Sequence, residues 1–214
     1  MEEGAFFLCL HAYLDVSFPQ HNHLNAKAVR SLYALHIVDH VRKARGEDGG
    51  RGNDSQQGFT RGRVLVLCPF RSVCFEVVKL TLALMPAKKQ VAHMQRFEEE
   101  FGGEEDGSLV SKPQDYQHLF GGNSDDRFRI GVTLWKKGVR LYAPFDKADI
   151  LICSPLGLRQ ITGAEGERRR EFDFLSSIEV CIVDRADVLR MQNWEHVQEV
   201  MQVVNRKPQG LEEG

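Results

Sequence analysis

The apolar positions of this chain fall into two patterns that follow one another along its length. Between residues 25 and 45, Ala28, Val29, Leu32, Leu35, His36, Val38 and Val41 recur at helical spacing, and Arg42, Lys43 and Arg45 follow. That spacing predicts an amphipathic helix whose closing cations suit the negative end of its dipole. Gly46 to Gly58 mixes five glycines with Asp, Asn, Ser and Gln, which predicts a flexible loop. Arg63-Val-Leu-Val-Leu-Cys68 is then an unbroken apolar run of the kind found in a strand covered on both faces. Pro69 stops it, and Val73 to Met85 returns to helical spacing.

From Glu98 to Asp126 the chain turns acidic and glycine-rich, with runs at Glu98-Glu99-Glu100 and Glu104-Glu105-Asp106, and reads as a solvated surface insertion. Phe128 to Trp135 is a strand pattern. Asp149-Ile-Leu-Ile-Cys153 is a second buried-type strand, followed by Ser154-Pro155 and a short helix. Ile178 to Val183 is a third, ending on Asp184. Val188, Met191, Trp194, Val197, Val200, Met201 and Val204 then mark a last helix. Strands alternating with helices imply βαβ units. The expected architecture is an open α/β sandwich, with strands at 64–68, 128–135, 149–153 and 178–183 all parallel and helices on both faces. Residues 1–24 read as a segment ahead of the lobe, 25–206 as the lobe with its loop at 46–58 and its insertion at 98–126, and 207–214 as a tail.

Composition narrows the function classes. The 214 residues are 42% hydrophobic and 27% charged, enough to fill one core and inconsistent with wholesale disorder. No apolar stretch approaches the roughly 20 residues of a membrane span, so no membrane partner is expected. Net charge is −2, so any nucleic-acid contact is local rather than driven by a global basic field. Five cysteines show no CxxC spacing, and Cys68, Cys153 and Cys181 lie in or at the end of apolar runs, where cysteine acts as a small hydrophobe. A reducing, intracellular compartment follows as the expectation.

In open α/β sheets the working residues lie just past the carboxyl ends of the strands. Three such ends stand out: Pro69-Phe70-Arg71, Ser154-Pro155-Leu-Gly-Leu-Arg159, and Asp184-Arg185-Ala186-Asp187. Together they resemble the first RecA-like lobe of DEAD-box RNA helicases. Val180 to Asp187 is similar to the Walker B strand and DEAD tetrad. Pro69-Phe70-Arg71 resembles the first RNA-contacting motif, and Ser154-Pro155 with Arg159 resembles the Thr-Pro-Gly-Arg motif, with its arginine two residues late. Carried over, the resemblance makes Arg71, Ser154, Pro155 and Arg159 the candidate RNA contacts, and Asp184, Arg185 and Asp187 a degenerate Walker B.

The motor parts are missing. A phosphate loop needs glycines and a Lys-Ser/Thr pair. No Gly-Lys dipeptide occurs in the chain, and Pro19-Gln-His-Asn-His-Leu24 stands where the loop would precede the first long helix. Arg185 replaces the glutamate that would activate water and cannot accept a proton near neutral pH. No nucleotide, metal or other cofactor is therefore expected.

Over His11 to Pro208 the chain is similar to the digestive organ expansion factor family. Ser31 to His36, Phe59-Thr60-Arg61, Asp126 to Gly131, Arg140 to Phe145, Asp149 to Arg159, Asp173 to Glu179 and Met191 to Val197 carry the resemblance. It implies a non-catalytic, helicase-like component of the nucleolar small-subunit processome, acting in pre-rRNA processing. Its implied partners are pre-rRNA or small nucleolar RNA and other processome proteins. Family members are longer, with an acidic amino-terminal region and a second RecA-like lobe. The alternative reading is a fragment of an ATP-dependent DEAD-box helicase.

Other features have plainer readings. Arg168-Arg169-Arg170 is a phosphate contact or a solvated helix face, since Glu165, Glu167 and Glu171 surround it. Gly163-Ala-Glu-Gly166 is a turn. His21 and His23 read as surface histidines lacking a third metal ligand, Trp194 as a core anchor, and Asp184 and Asp187 as acceptors of backbone hydrogen bonds at a strand–helix junction.

Overall fold

The computed structural model describes residues 3–46, 60–85, 90–103, 107–135, 138–163 and 171–208. The loop read at 46–58, apart from Gly46, lies outside them, as do the Glu104-Glu105-Asp106 run, the triple arginine and all of the 163–166 turn but Gly163. In chain order the elements are α1 (Glu3–His11), α2 (Ala26–Ala44), β1 (Val64–Leu67), α3 (Arg71–Ala83), β2 (Gln90–Ala92), α4 (Met94–Phe101), α5 (Gln114–Phe120), β3 (Arg129–Trp135), β4 (Gly138–Leu141), β5 (Ile150–Cys153), α6 (Pro155–Thr162), β6 (Val180–Val183) and α7 (Ala186–Val203). The six strands form one sheet in the order β2-β4-β3-β5-β1-β6.

β1 and β5 are fully covered, as their unbroken apolar composition requires. Period-two alternation divides each between two cores. Val64, Val66, Ile150 and Ile152 face the first, with Tyr33, Ile37, Val41, Val77 and Phe97 of α2, α3 and α4. Leu65, Leu67, Leu151 and Cys153 face the second, with Leu158 of α6 and Leu189, Val197 and Val200 of α7. Each such aliphatic side chain taken from water contributes roughly 1.5–3 kcal/mol, so these two strands anchor both layers. Phe6 of α1 is buried in the first core, and Leu10, Val16 and Phe18 pack on it, so residues ahead of α2 belong to the same body. Trp194 packs against the second core. Within the acidic stretch, Glu98 to Glu100 lie on α4, whose Phe97 and Phe101 are buried while Glu98 and Glu99 are exposed.

The expectation of an all-parallel sheet is corrected at one strand. β1, β5 and β6 are parallel, as are β2 and β4, but β3 runs antiparallel to both β4 and β5. Only two residues separate Trp135 from Gly138. That length closes a hairpin but cannot span a parallel crossover, which takes a dozen residues or more. β4 and β2 were not expected from the sequence. The five remaining strands share one direction, and their carboxyl ends form the edge on which the candidate residues sit.

Two histidines of α2, His36 and His40, are buried. Tyr13 Oη lies 2.7 Å from His40 Nδ1, His40 Nε2 lies 2.8 Å from Glu179, and the His36 ring stacks on His40. Burial lowers the pKa of His36 and of His40, for His40 against the upward pull of Glu179. Both rings are thus less basic folded than unfolded. The unfolded chain binds more protons below its ordinary imidazole value of about 6.5, so stability is full above that pH and falls as pH drops below it. Urea unfolding at pH 7.5 and 5.5 should show a lower midpoint at 5.5, and His40→Gln should shrink the difference. Identical pH dependence in the variant would refute the assignment.

Candidate functional site

The tetrad-like segment leaves β6 at its carboxyl end and starts α7. Asp184 is 3% exposed, and its N–H donates to Leu67 O across the sheet. Its carboxylate is taken by side chains, not by the backbone groups expected. Arg30 Nε donates to Oδ2 at 2.8 Å, Tyr33 Oη donates to the same oxygen at 3.0 Å, and His21 Nδ1 lies 3.3 Å from Oδ1. Arg30 is 2% exposed and gives its other arm to Glu76 of α3 at 2.5 Å. Burial opposes its charge, but Asp184 and Glu76 outweigh burial and hold the guanidinium above its ordinary pKa. Burial, with Asp184 beside it, pushes the Tyr33 phenol well up. His21 is not the surface residue expected: its side chain is 12% exposed, and burial lowers its pKa despite the carboxylate.

Arg185 takes the left-handed conformation, φ 52, at the cap of α7, a position that costs a bulky residue energy. Its guanidinium closes back on Asp187, with Nε to Oδ1 at 3.0 Å and Nη2 to Oδ2 at 2.8 Å. This two-armed hydrogen bond is the main reason the Asp187 carboxyl lies below its usual value. Ahead of α2, where phosphates would be cradled, the turn is tied to itself. Asn25 Oδ1 accepts from Asn22 N at 2.8 Å, and the side-chain amides of Asn22 and Asn25 both donate to Gln20 O at 2.9 Å. A nucleotide with Mg²⁺ does not fit this donor set, because each oxygen of Asp184 already faces a positive or hydrogen-bonding side chain. Among the described residues no three His, Cys, Asp or Glu side chains converge as a metal site.

The other two strand ends are brought together by the chain between Asn123 and Phe128. Arg71 N donates to Asp125 O at 3.0 Å and Ser72 N to Asn123 O at 2.9 Å, so carbonyls of this chain cap the start of α3. The Arg71 side chain reaches Glu100 O and Arg127 O, each at 3.0 Å, pairs with Asp125 at 3.2 Å and lies over the Phe101 ring. At β5, Ser154 is 1% exposed, and its hydroxyl accepts from Gly157 N at 2.9 Å as the cap of α6, which Pro155 opens. Ser154 N donates to Phe128 O at 3.1 Å. Gly157 is required here, because a Cβ would stand 2.2 Å from the Phe128 carbonyl oxygen. Arg159, a third exposed, pairs with Glu199 of α7.

Arg71 and Ser154 thus meet around the 123–128 stretch, Pro155 opens α6 next to Ser154, and Arg159 turns toward α7. Arg30, Tyr33 and Glu76 were missed in the sequence. One signal was available for Arg30: an arginine on the same helical face as Ala26, Val29, Tyr33 and Ile37, a stripe otherwise buried.

Removing one member of a buried pair strands the other charge, at a cost of about 3–5 kcal/mol. Arg30→Met should lower unfolding stability by that order. The double variant Arg30→Met with Asp184→Leu should lose clearly less than the sum of the two single changes. Additive losses in denaturant titrations would show that the two groups do not depend on each other.

Comparison with known proteins places this geometry. The family described as "UTP25, NTP hydrolase-like domain" matches residues 13–213, in keeping with a RecA-like sheet. The chain is 44% identical over 94% of its length to the human U3 small nucleolar RNA-associated protein 25 homolog, and 42% identical over 94% to the Xenopus tropicalis homolog. It is 39% identical over 92% of its length to U3 small nucleolar RNA-associated protein 25 of Schizosaccharomyces pombe. It covers 30%, 29% and 31% of these proteins, and so spans about a third of the length of the curated relatives it matches. No solved structure matches it. By the match over residues 13–213 and these identities, the chain belongs to the UTP25 family, the one that includes the digestive organ expansion factor proteins.

Proposed function

We propose that this chain is a non-catalytic, helicase-like lobe of a nucleolar small-subunit processome component, acting in pre-rRNA processing through contacts with RNA and with other processome proteins. The names of its relatives, associated with U3 small nucleolar RNA, support the setting. The observation that carries the non-catalytic reading is the state of Asp184, held by Arg30, Tyr33 and His21 inside the protein where a helicase would present a metal-binding carboxylate. Arg185 adds to it by offering no proton acceptor. Among the described residues no helix is long and apolar enough to cross a membrane.

The reading includes a weak RNA contact at the strand ends involving Arg71, Ser154, Pro155 and Arg159. Geometry divides their roles. Arg71 and Ser154 hold the 123–128 stretch, and Pro155 fixes the first turn of α6, so all three shape the surface. The reading assigns the phosphate contact to Arg159, which pairs with Glu199.

Calorimetry with ATP and Mg²⁺ should show no binding into the millimolar range, and phosphate release should be the same with and without RNA. Micromolar affinity with RNA-stimulated turnover would overturn the non-catalytic reading in favour of a helicase fragment. For RNA, single-strand binding should be independent of sequence and lie on the order of 10⁻⁴ to 10⁻⁶ M. Arg159→Ala should weaken it and reduce the slope of log K against log salt by about one, whereas Glu199→Gln should strengthen it a few-fold. If neither substitution moves the affinity, this face docks protein and not RNA.

A further inference from the structure

β1 and β5 are covered on both faces, whereas β3 and β4 are covered on one. On the face of the second core, α6 and α7 pack over Leu65, Leu67, Leu151 and Cys153, and among the described residues β3 and β4 add nothing to that core. Their apolar residues Ile130, Val132, Leu134, Val139 and Leu141 all belong to the first core. Period-two alternation therefore sends Arg129, Thr133, Trp135 and Arg140 to the other face. The chain after β4 crosses that face at its middle. A Cβ on Gly131 would stand 3.0 Å from the Ala148 Cβ, and Thr133 Oγ1 donates to Lys147 O at 3.0 Å. Beyond the crossing the face is open, with Trp135 45% exposed and Arg140 exposed.

A tryptophan on the water side of a strand is the residue out of pattern, and its register gives it a floor. Trp135 pairs with Gly138, and a Cβ on Gly138 would stand 2.9 Å from Trp135 Nε1. The indole thus lies over the start of β4, in room that a side chain at Gly138 would fill. The next pair on the same face is Thr133 with Arg140. Among the described residues the Arg140 guanidinium meets no carboxylate.

The charge beside the ring is positive. Asp149 accepts from the N–H of Leu134, the residue before Trp135, at 2.8 Å, and the same carboxylate holds both Arg45 and Arg61. Two guanidinium groups on one carboxylate leave a net positive charge, and Arg140 adds to it. Asp146, on the crossing segment, lines a cavity toward α6 with Arg129 and Ile161. An aromatic ring beside cations on an open sheet suits single-stranded nucleic acid, since any base has a face to stack and its phosphates meet the cations. A second copy suits it less, because a two-fold contact sets the same cations against each other.

We propose that the open face at Trp135 and Arg140 is a second contact for single-stranded RNA, in which a base stacks on Trp135 and flanking phosphates meet Arg140 and Arg61. Because β3 is reversed, its carboxyl end lies among the amino ends of β4, β5 and β1. The contact is therefore on the edge opposite Arg71, Ser154 and Arg159 and shares no residue with them. The choice of RNA as the strand rests on the functional reading above; the surface itself does not.

Tryptophan emission tests this, because the chain has two tryptophans and Trp194 is packed on the second core. Titrating the 214-residue chain with an oligouridine of about twelve nucleotides should quench emission. Trp135→Phe, which keeps a ring for stacking, should bind nearly as well while losing the quench. Trp135→Ala should bind about 5-fold or more weakly, and Arg140→Gln should lower the slope of log K against log salt by about one. Both residues are exposed, so both variants should keep the parent's circular dichroism. Arg159→Ala at saturating RNA should keep the quench. RNA binding without a quench, a quench that survives in Trp135→Phe, or unchanged affinity in Trp135→Ala would each overturn the proposal while leaving the strand-end contact standing. No RNA binding at all would overturn both contacts and assign the open face to a protein partner.

Discussion

A guanidinium taken out of water must keep carboxylates beside it, and Arg30 meets that requirement with Asp184 and Glu76. The consequence is geometric. One turn into α2, this side chain ties the helix to the end of β6 and to α3, and Asp184 adds Tyr33 and His21. Pieces of chain more than 150 residues apart are thereby fixed at one spot. The same carboxylate at the same strand end belongs to a metal in a working nucleotide hydrolase. Here an internal cation occupies it, and the residue becomes an anchor of the tertiary structure.

The neighbouring strand ends follow the same logic with neutral partners. Helix amino termini carry unpaired N–H groups and a partial positive charge, and in an open α/β fold they lie where ligands bind. In this lobe the chain satisfies them itself. Carbonyls of Asn123 and Asp125 cap α3, the Ser154 hydroxyl caps α6, and Arg71 grips the carbonyls of Glu100 and Arg127. The strand-end edge is therefore a built surface, held at its centre by buried bonds and charged at its rim by Arg159 and Glu199.

Asp149, at the opposite end of β5, shows the same use of a buried carboxylate. It is 4% exposed and accepts from Arg45 at 2.6 Å, Arg61 at 2.9 Å and Leu134 N at 2.8 Å. The end of α2, the approach to β1 and the reversed strand β3 are joined there. β3 is thus held within an otherwise parallel sheet by hairpin and ladder bonds on both sides and by an acid beneath it.

The sequence by itself determined whatever depends on neighbours along the chain. Helical spacing in 25–45 and the strands read at 64–68, 149–153 and 178–183 placed the main elements to within a residue or two of their ends, because burial of a local pattern fixes them. The loss of the phosphate loop was legible as missing residue types. The direction of β3 was not, since alternation reads alike for either direction, and β2 and β4 are too short to carry a pattern. Nor were the partners of Asp184, because an ion pair between residues 154 apart leaves no mark on either local sequence. That Arg71, read as a phosphate contact, also holds the carbonyls of Glu100 and Arg127 was not legible either, because every residue has a carbonyl and no sequence distinguishes one. The tertiary structure alone decided these matters, because which charges and carbonyls meet is set by how the two cores bring distant chain together.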